Sequence, residues 1–321
     1  MTRAALLVGL GVWAAAAVSA GDEARAQPSP PETPIPTVVE RSRLEVAPAG
    51  RAFVNLSVEN ALGDVSIEGH DGTALVIETR KRAPDDASLD RLRVSLVPGL
   101  DGSVRISTAV DTTGTDRALS KSAARIDLVI RAPRDLRFAA RVGSGQLEVS
   151  GMDAGGDVDA ASGTITMRNI GGATNARSIS GAVTLSEMFG PVDAQTINAP
   201  VKLDTIAGES LVTSAHRGAI LARRVRARRI ELMTTTGDVE LEGELALAGK
   251  VVVSSLRGNI TVRLRGRGAM AVRAMGQKVD LGTTKTRVVK GVTMAELGSG
   301  DEIAGIDLRT RHGVVAFAVN F

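Results

Sequence analysis

The octapeptides GQLEVSGM (145–152), GTITMRNI (163–170), GAVTLSEM (181–188) and APVKLDTI (199–206) follow one another at intervals of 18 residues. GAILARRV (218–225), GDVELEGEL (237–245) and GNITVRLRG (258–266) continue the series at intervals of 19, 19 and 21. A fixed period of about 20 residues marks stacked repeats, none of which can bury its apolar face alone. Apolar residues stand two, four and seven places after the first five opening residues: Leu147, Val149, Met152; Ile165, Met167, Ile170; Val183, Leu185, Met188; Val201, Leu203, Ile206; Ile220, Ala222, Val225. The first two positions alternate as in a strand, and the third lies past a bend. A helix is excluded by the spacing of two and by a glycine every nine or ten residues, each of which would weaken a helix by about 1 kcal/mol.

Another short strand follows Gly172, Gly190 and Gly208. Its inward positions read as two files of small residues, Val158, Ala176, Ala194 and Val212, then Ala160, Ser178, Thr196 and Ser214. The hydroxyls in these files can bond to the backbone or to the next repeat. The chain therefore reads as all-β, a single-stranded parallel β-helix or β-solenoid with about 18–21 residues per repeat and irregular capping ends.

Residues 1–26 read as a signal peptide, with Arg3 before the apolar run Ala4 to Val18 and small residues at the exit. Cleavage is expected after Ala20 or after Ala26. The apolar run is shorter than the roughly 20 residues that span a bilayer, and no later stretch is apolar enough to cross as a helix. Residues 27–37 carry five prolines in eleven residues and read as an extended linker. Residues 38–321 form the β-solenoid domain, with an N-terminal cap and looser coils over 38–140, regular repeats over 141–268, and C-terminal coils over 269–321. Gly63 with Val65 and Ile67 already carries the unit pattern. Ala83 to Arg91 and Thr112 to Lys121 read as polar excursions, the first a loop or short helix. Val315, Phe317, Val319 and Phe321 read as a closing strand. An outer-membrane barrel would need apolar outward faces, whereas Arg, Thr, Asp and Glu stand outward here.

The segments RIDLVIRAPRDLRFAARVGSGQLEVSG (125–151), SGTITMRNIGG (162–172), SGAVTLSEMFG (180–190), TGDVELEGEL (236–245) and GSGDEIAGIDLRTRHGVVAF (298–317) together resemble a bacterial β-strand repeat family of exported solenoids that carries the adhesin name. The resemblance covers Leu44 to Phe321. It implies an envelope location, periplasmic or at the cell surface, and a binding or structural task; the family carries no catalytic motif, so no residue role transfers.

Composition points the same way. Aromatic residues make up 2% of the chain, Tyr and Cys are absent, and Trp13 is the only tryptophan. Disulfides, thiolate metal sites and cysteine nucleophiles are thereby excluded. His70, His216 and His312 have no partner at ligand spacing, and Asp153, Asp157 and Asp159 lack the glycine and aspartate order of calcium-binding nonapeptides. Asp157, Asp159 and Asp193 are the nearest approach to a catalytic carboxylate set and read as turn residues. No GxSxG elbow occurs, and Glu148 stands where a dinucleotide fingerprint needs its third glycine. The expectation is a chain without cofactor, metal or catalytic residues, hence no enzyme; a polysaccharide-acting β-helix enzyme is the alternative.

Charge supplies the candidate site. Arg224, Arg226 and Arg228 share one strand face, as do Arg263, Arg265 and Arg267. Residues 205–268 hold 11 basic against 6 acidic residues, and residues 142–204 hold 3 against 7. Three readings stay open: a solvated face that discourages edge pairing, a stripe for envelope polyanions or glycans, and head-to-tail self-association into a scaffold. Sequence-specific nucleic-acid binding is not expected, because no aromatic platform accompanies the arginines.

Overall fold

The computed structural model describes residues 38–48, 50–111, 124–266, 268–282, 285–299 and 303–320. The expected signal peptide (1–26), linker (27–37) and excursion (112–121), with Arg267 and Phe321, lie outside the described residues. The described chain is all-β: 24 strands belong to one open, mixed sheet, and the single helix among the described residues is the four-residue Asp86–Leu89. Asp85 caps that helix by accepting from the Ser88 amide at 2.7 Å.

Strands pair in parallel with the strand two places further along the chain, so that each pass comprises a first strand, a glycine turn and a second strand. Leu147–Met152, Ile165–Ile170 and Val183–Met188 pair with one another in register, and the ladder continues into Val201–Arg217, Ile220–Thr236 and Val239–Arg257. Leu147, Ile165, Val183, Val201, Ile220, Val239, Ile260 and Val315 thus form one inner file, each at most 1% exposed. The first strands form a second ladder, from Arg137–Val142 through Gly156–Ala160, Thr174–Ser178 and Val192–Thr196 into the second halves of the three long strands. Inward residues of both ladders join a single apolar cluster.

The two-four-seven spacing has a backbone cause. The residue six places after the opening residue has positive φ in the five passes opened by Gly145, Gly163, Gly181, Ala199 and Gly218: Gly151 at 68°, Asn169 at 55°, Glu187 at 56°, Thr205 at 57° and Arg224 at 51°. One left-handed residue skips a step of the alternation, so the next inward side chain falls at seven rather than six. Only Gly151 enters this region without a Cβ penalty, and Thr205, being β-branched, is the least suited to it.

The turn itself is set by close approach. A Cβ on Gly163 would lie 1.7 Å from the Gly145 carbonyl oxygen, one on Gly181 1.8 Å from that of Gly163, and one on Gly258 2.0 Å from that of Gly237. Ala199 is the exception in the series, and it is buried. Inner hydroxyls tie the first strand to the same turns: Ser255 donates to Gly237 O at 3.1 Å, Thr234 to Gly218 O at 3.0 Å, and Thr310 to Gly258 O at 2.9 Å.

Four expectations need correction. The inner residues of the first strand in the pass after Val192–Thr196 are Leu211, Thr213 and Ala215, while Val212 and Ser214 face outward. One extra residue between Ile206 and Leu211 lengthens that pass to 19, and a one-residue slip exchanges the two faces of a strand. The inner files are also small only in the early passes, since Leu232, Val253 and Leu308 continue the file of Ala176 and Ala194. The sheet is not wholly parallel: Val38–Val46 and Leu75–Ala83, Leu92–Pro98 and Ser103–Val110, and Ala269–Met275 and Val292–Leu297 pair antiparallel.

The last strand does not end the stack. Val314–Asn320 lies between Ile260–Gly266 and Lys278–Asp280, and Ile303–His312 lies between Val239–Arg257 and Ala269–Met275. The N-terminal end repeats this device. Asn55–Asn60 lies between Ser103–Val110 and Arg137–Val142, and Val65–His70 lies between Arg125–Pro133 and Leu147–Met152. Asp127 knits that end, pairing with Arg82 and with Arg125, whose guanidinium also lies 2.6 Å from Asp64.

Replacing Gly163 by Ala is expected to destabilise the protein by about 2–3 kcal/mol, because a backbone carbonyl must move to admit the methyl group. Gly305, where an added Cβ meets nothing within 4 Å, serves as the comparison. Denaturant unfolding should separate Gly163→Ala from Gly305→Ala; equal stabilities would contradict the close-packed turn.

Candidate functional site

The arginines singled out by charge lie outward on the second-strand ladder, but carboxylates interrupt them. Arg224 pairs with Asp204 and donates to the Thr205 hydroxyl at 2.9 Å. Arg226 lies 2.6 Å from Glu244, and Arg263 and Arg223 lie 3.3 Å and 3.9 Å from the shared Glu240. Arg228 and Arg265 are exposed and have no ion pair among the described residues. Arg267 lies outside the described residues. The groove between Arg224, Arg226, Arg263 and Arg265 also exposes Glu242 and Glu244, so positive and negative groups mingle across it.

The carboxylates weighed for catalysis sit on strands rather than in turns. Asp157 and Asp159 are outward residues of Gly156–Ala160, and Asp193 is one of Val192–Thr196. Asn175 stands between Asp157 and Asp193 in the ladder, so no two of these acids are neighbours on adjacent passes. The Asn175 amide donating to Asp157 holds that carboxyl below its ordinary value, with Arg137 adding to the effect, which is opposite to what a general acid requires. Among the described residues no three of His, Asp and Glu are placed to hold a metal ion. His70 closes a turn, with its ring nitrogens 2.8 Å from the Gly72 amide and 2.9 Å from Ala74 O.

A different feature dominates the surface. A groove of about 1100 Å³ follows the bend at the ends of successive first strands and crosses eight passes. Its floor is the backbone at Asn60, Val142, Ala160, Ser178, Thr196, Ala215 and Thr234, whose side chains turn inward and pair in register. One wall is the outward row Glu59, Arg141, Asp159, Arg177, Gln195, Ser214, Met233 and Ser254. The other is the row two residues further on, with Ala61, Gly143, Ala161, Ile179, Ile197, His216 and Thr235. Ile179 and Ile197 are 50% and 46% exposed, unusual for isoleucines held in a rigid turn. At the N-terminal end Thr108 lines the groove and donates to Asn60 Oδ1 at 2.7 Å, while the Asn60 amide donates to Ile126 O at 2.8 Å.

Reading strand by strand does not find this groove, because its wall residues fall in different segments and share no motif. The signal lies in the columns. When the passes are aligned on the turn residues Gly63, Gly145, Gly163, Gly181 and Ala199, the fourth residue before each is Glu59, Arg141, Asp159, Arg177 and Gln195. Five consecutive passes therefore offer a planar side chain with paired polar atoms at the same height.

No protein-family model matches the sequence, and no curated protein matches it. Among solved structures, a "putative adhesin" from Bacteroides fragilis is 13% identical, with 88% of this chain and 98% of that one covered at a TM-score of 0.40. A "putative lipid binding protein" from Parabacteroides distasonis is 12% identical, with 88% and 96% covered at 0.40. A "putative cell adhesion protein" from Clostridium sporogenes is 10% identical, with 88% and 100% covered at 0.30.

The interleaved carboxylates predict a modest role for the arginine face in stability. Arg226→Ser is expected to change the unfolding free energy by less than about 1 kcal/mol, as for exposed ion pairs generally. A loss of several kcal/mol in denaturant unfolding would show instead that these pairs hold the passes together.

Proposed function

We propose that the protein is an exported, non-enzymatic β-solenoid that binds an extended polymer of the cell envelope along the groove beside its first-strand ladder. The solenoid reading is supported by the in-register parallel pairing of successive passes at the sequence period. Export is supported by the signal-like residues 1–26. No helix of the described residues is long and apolar enough to cross a membrane.

The observation that carries the binding reading is the groove's continuity over eight passes, with its charged side chains Glu59, Arg141, Asp159 and Arg177 spread one to a pass along one wall. An enzyme concentrates its reactive groups at one point, with shifted proton affinities. Here the same positions recur in every pass, as a surface that grips a long ligand requires. Rigid outward rows lose little conformational freedom when a ligand docks, which helps a shallow site to bind at all.

A panel of envelope polyanions and neutral glycans, offered to the full chain, tests which face binds. Ala161→Trp fills the groove from an exposed position and is expected to abolish binding, while joint replacement of Arg224, Arg226 and Arg228 by Ser leaves it intact. The opposite pattern would move the site to the arginine face.

A further inference from the structure

We infer that the occupant of this groove is a straight, uncharged glycan chain, of the kind formed by β-1,4-linked pyranoses. The inference rests on the groove being the binding surface and specifies what it binds.

Three properties of the groove select this class. The first is repeat length. Neighbouring passes are separated by about 4.8 Å, the distance between paired strands, which is close to the length of one pyranose in an extended chain. An extended peptide advances about 3.3 Å per residue, so its residues would meet the rows out of step, coming into line only at every third residue and every second pass. The second is the chemistry of the wall. Glu59, Arg141, Asp159, Arg177 and Gln195 each present two polar atoms side by side, the arrangement that meets two adjacent hydroxyls of a sugar ring. The third is charge. Two acids, two bases and one amide in a row give no net charge, and Arg141 and Asp159 lie 3.5 Å apart and offset each other. A polyanion would meet Glu59 and Asp159 as repulsive groups on the same wall.

The opposite wall suits the C–H faces of a sugar. Ala61, Gly143 and Ala161 leave room beside the charged passes, and Ile179 and Ile197 offer aliphatic surface beside Arg177 and Gln195. With aliphatic contacts in place of aromatic rings, each ring binds weakly. Affinity must then accumulate along the chain. The five planar residues occupy five consecutive passes, from Glu59 to Gln195.

Calorimetric titration of the full chain tests this with cellohexaose and chitohexaose, with maltohexaose as a chain of similar composition that coils, and with a galacturonate hexamer as an acidic chain. The β-1,4 neutral chains are expected to bind, with affinity rising up to roughly five sugars and then levelling, as the five-pass row at strand spacing requires. Maltohexaose should bind about tenfold more weakly, and joint replacement of Asp159 and Arg177 by Ala should weaken cellohexaose about tenfold. Raising salt from about 0.05 to 0.5 M should leave neutral-chain binding nearly unchanged, since no net charge is matched. Preferential, salt-sensitive binding of the galacturonate hexamer would overturn the neutral-glycan assignment. If Ala161→Trp still abolished that binding, the groove would stand as the site with a different ligand. Binding untouched by Ala161→Trp and by the double variant would overturn both readings, and absence of binding by every hexamer would overturn the neutral-glycan assignment.

Discussion

Each turn glycine rests on the carbonyl of the turn residue one pass before it, too close to carry a side chain of its own. This contact fixes the register between passes. A strand could slip by one residue and still bury some apolar surface, but the turn would then bring a Cβ against a carbonyl oxygen, as the 1.7 Å and 1.8 Å approaches at Gly163 and Gly181 make plain. The left-handed residues Asn169, Glu187 and Thr205 fix the second bend in the same way, at some cost in backbone strain. Between these two bends the inner files have no freedom to shift.

The same constraint acts on the outside. Because every pass turns at the same place, residues four before the turn fall into a straight row, and so do residues two before it. The groove is the space between those rows. Its regularity follows from the turn, so changes of side chain along the rows alter its chemistry without altering its course. The single polar residue buried without a partner in the inner file, Thr213, shows how close the packing is: its pass is the one lengthened by a residue, and its hydroxyl is left without a hydrogen bond among the described residues.

Much of this was legible in the sequence, because the period and the two-four-seven spacing are local. Leu147, Ile165, Val183 and Val201 could be assigned to one file without coordinates. The inward set of residues 211–215 could not, since the extra residue between Ile206 and Leu211 shifts the phase where no apolar pattern marks it. Pairing across long separations was also hidden: nothing in Asn55–Asn60 states that it lies between Ser103–Val110 and Arg137–Val142. The acidic partners of the arginine face were hidden too, because Arg224 and Arg226 stand out in the sequence while Asp204 and Glu244 lie about 20 residues away.

Stacked repeats commonly fray from their ends, where the last unit has one neighbour. Here the passes built from Asn55–His70 and from Ile303–Asn320 each have a neighbour on both sides, and antiparallel strands cover the passes beyond them. A stack locked in this way holds its rows rigid along the full length of the groove. Native-state hydrogen exchange along the whole chain tests that claim directly. Amides of 55–70 and 303–320 should exchange as slowly as those of 147–206, in one cooperative opening. Early, independent exchange of either outer pass would contradict the locked stack and the continuous groove built on it.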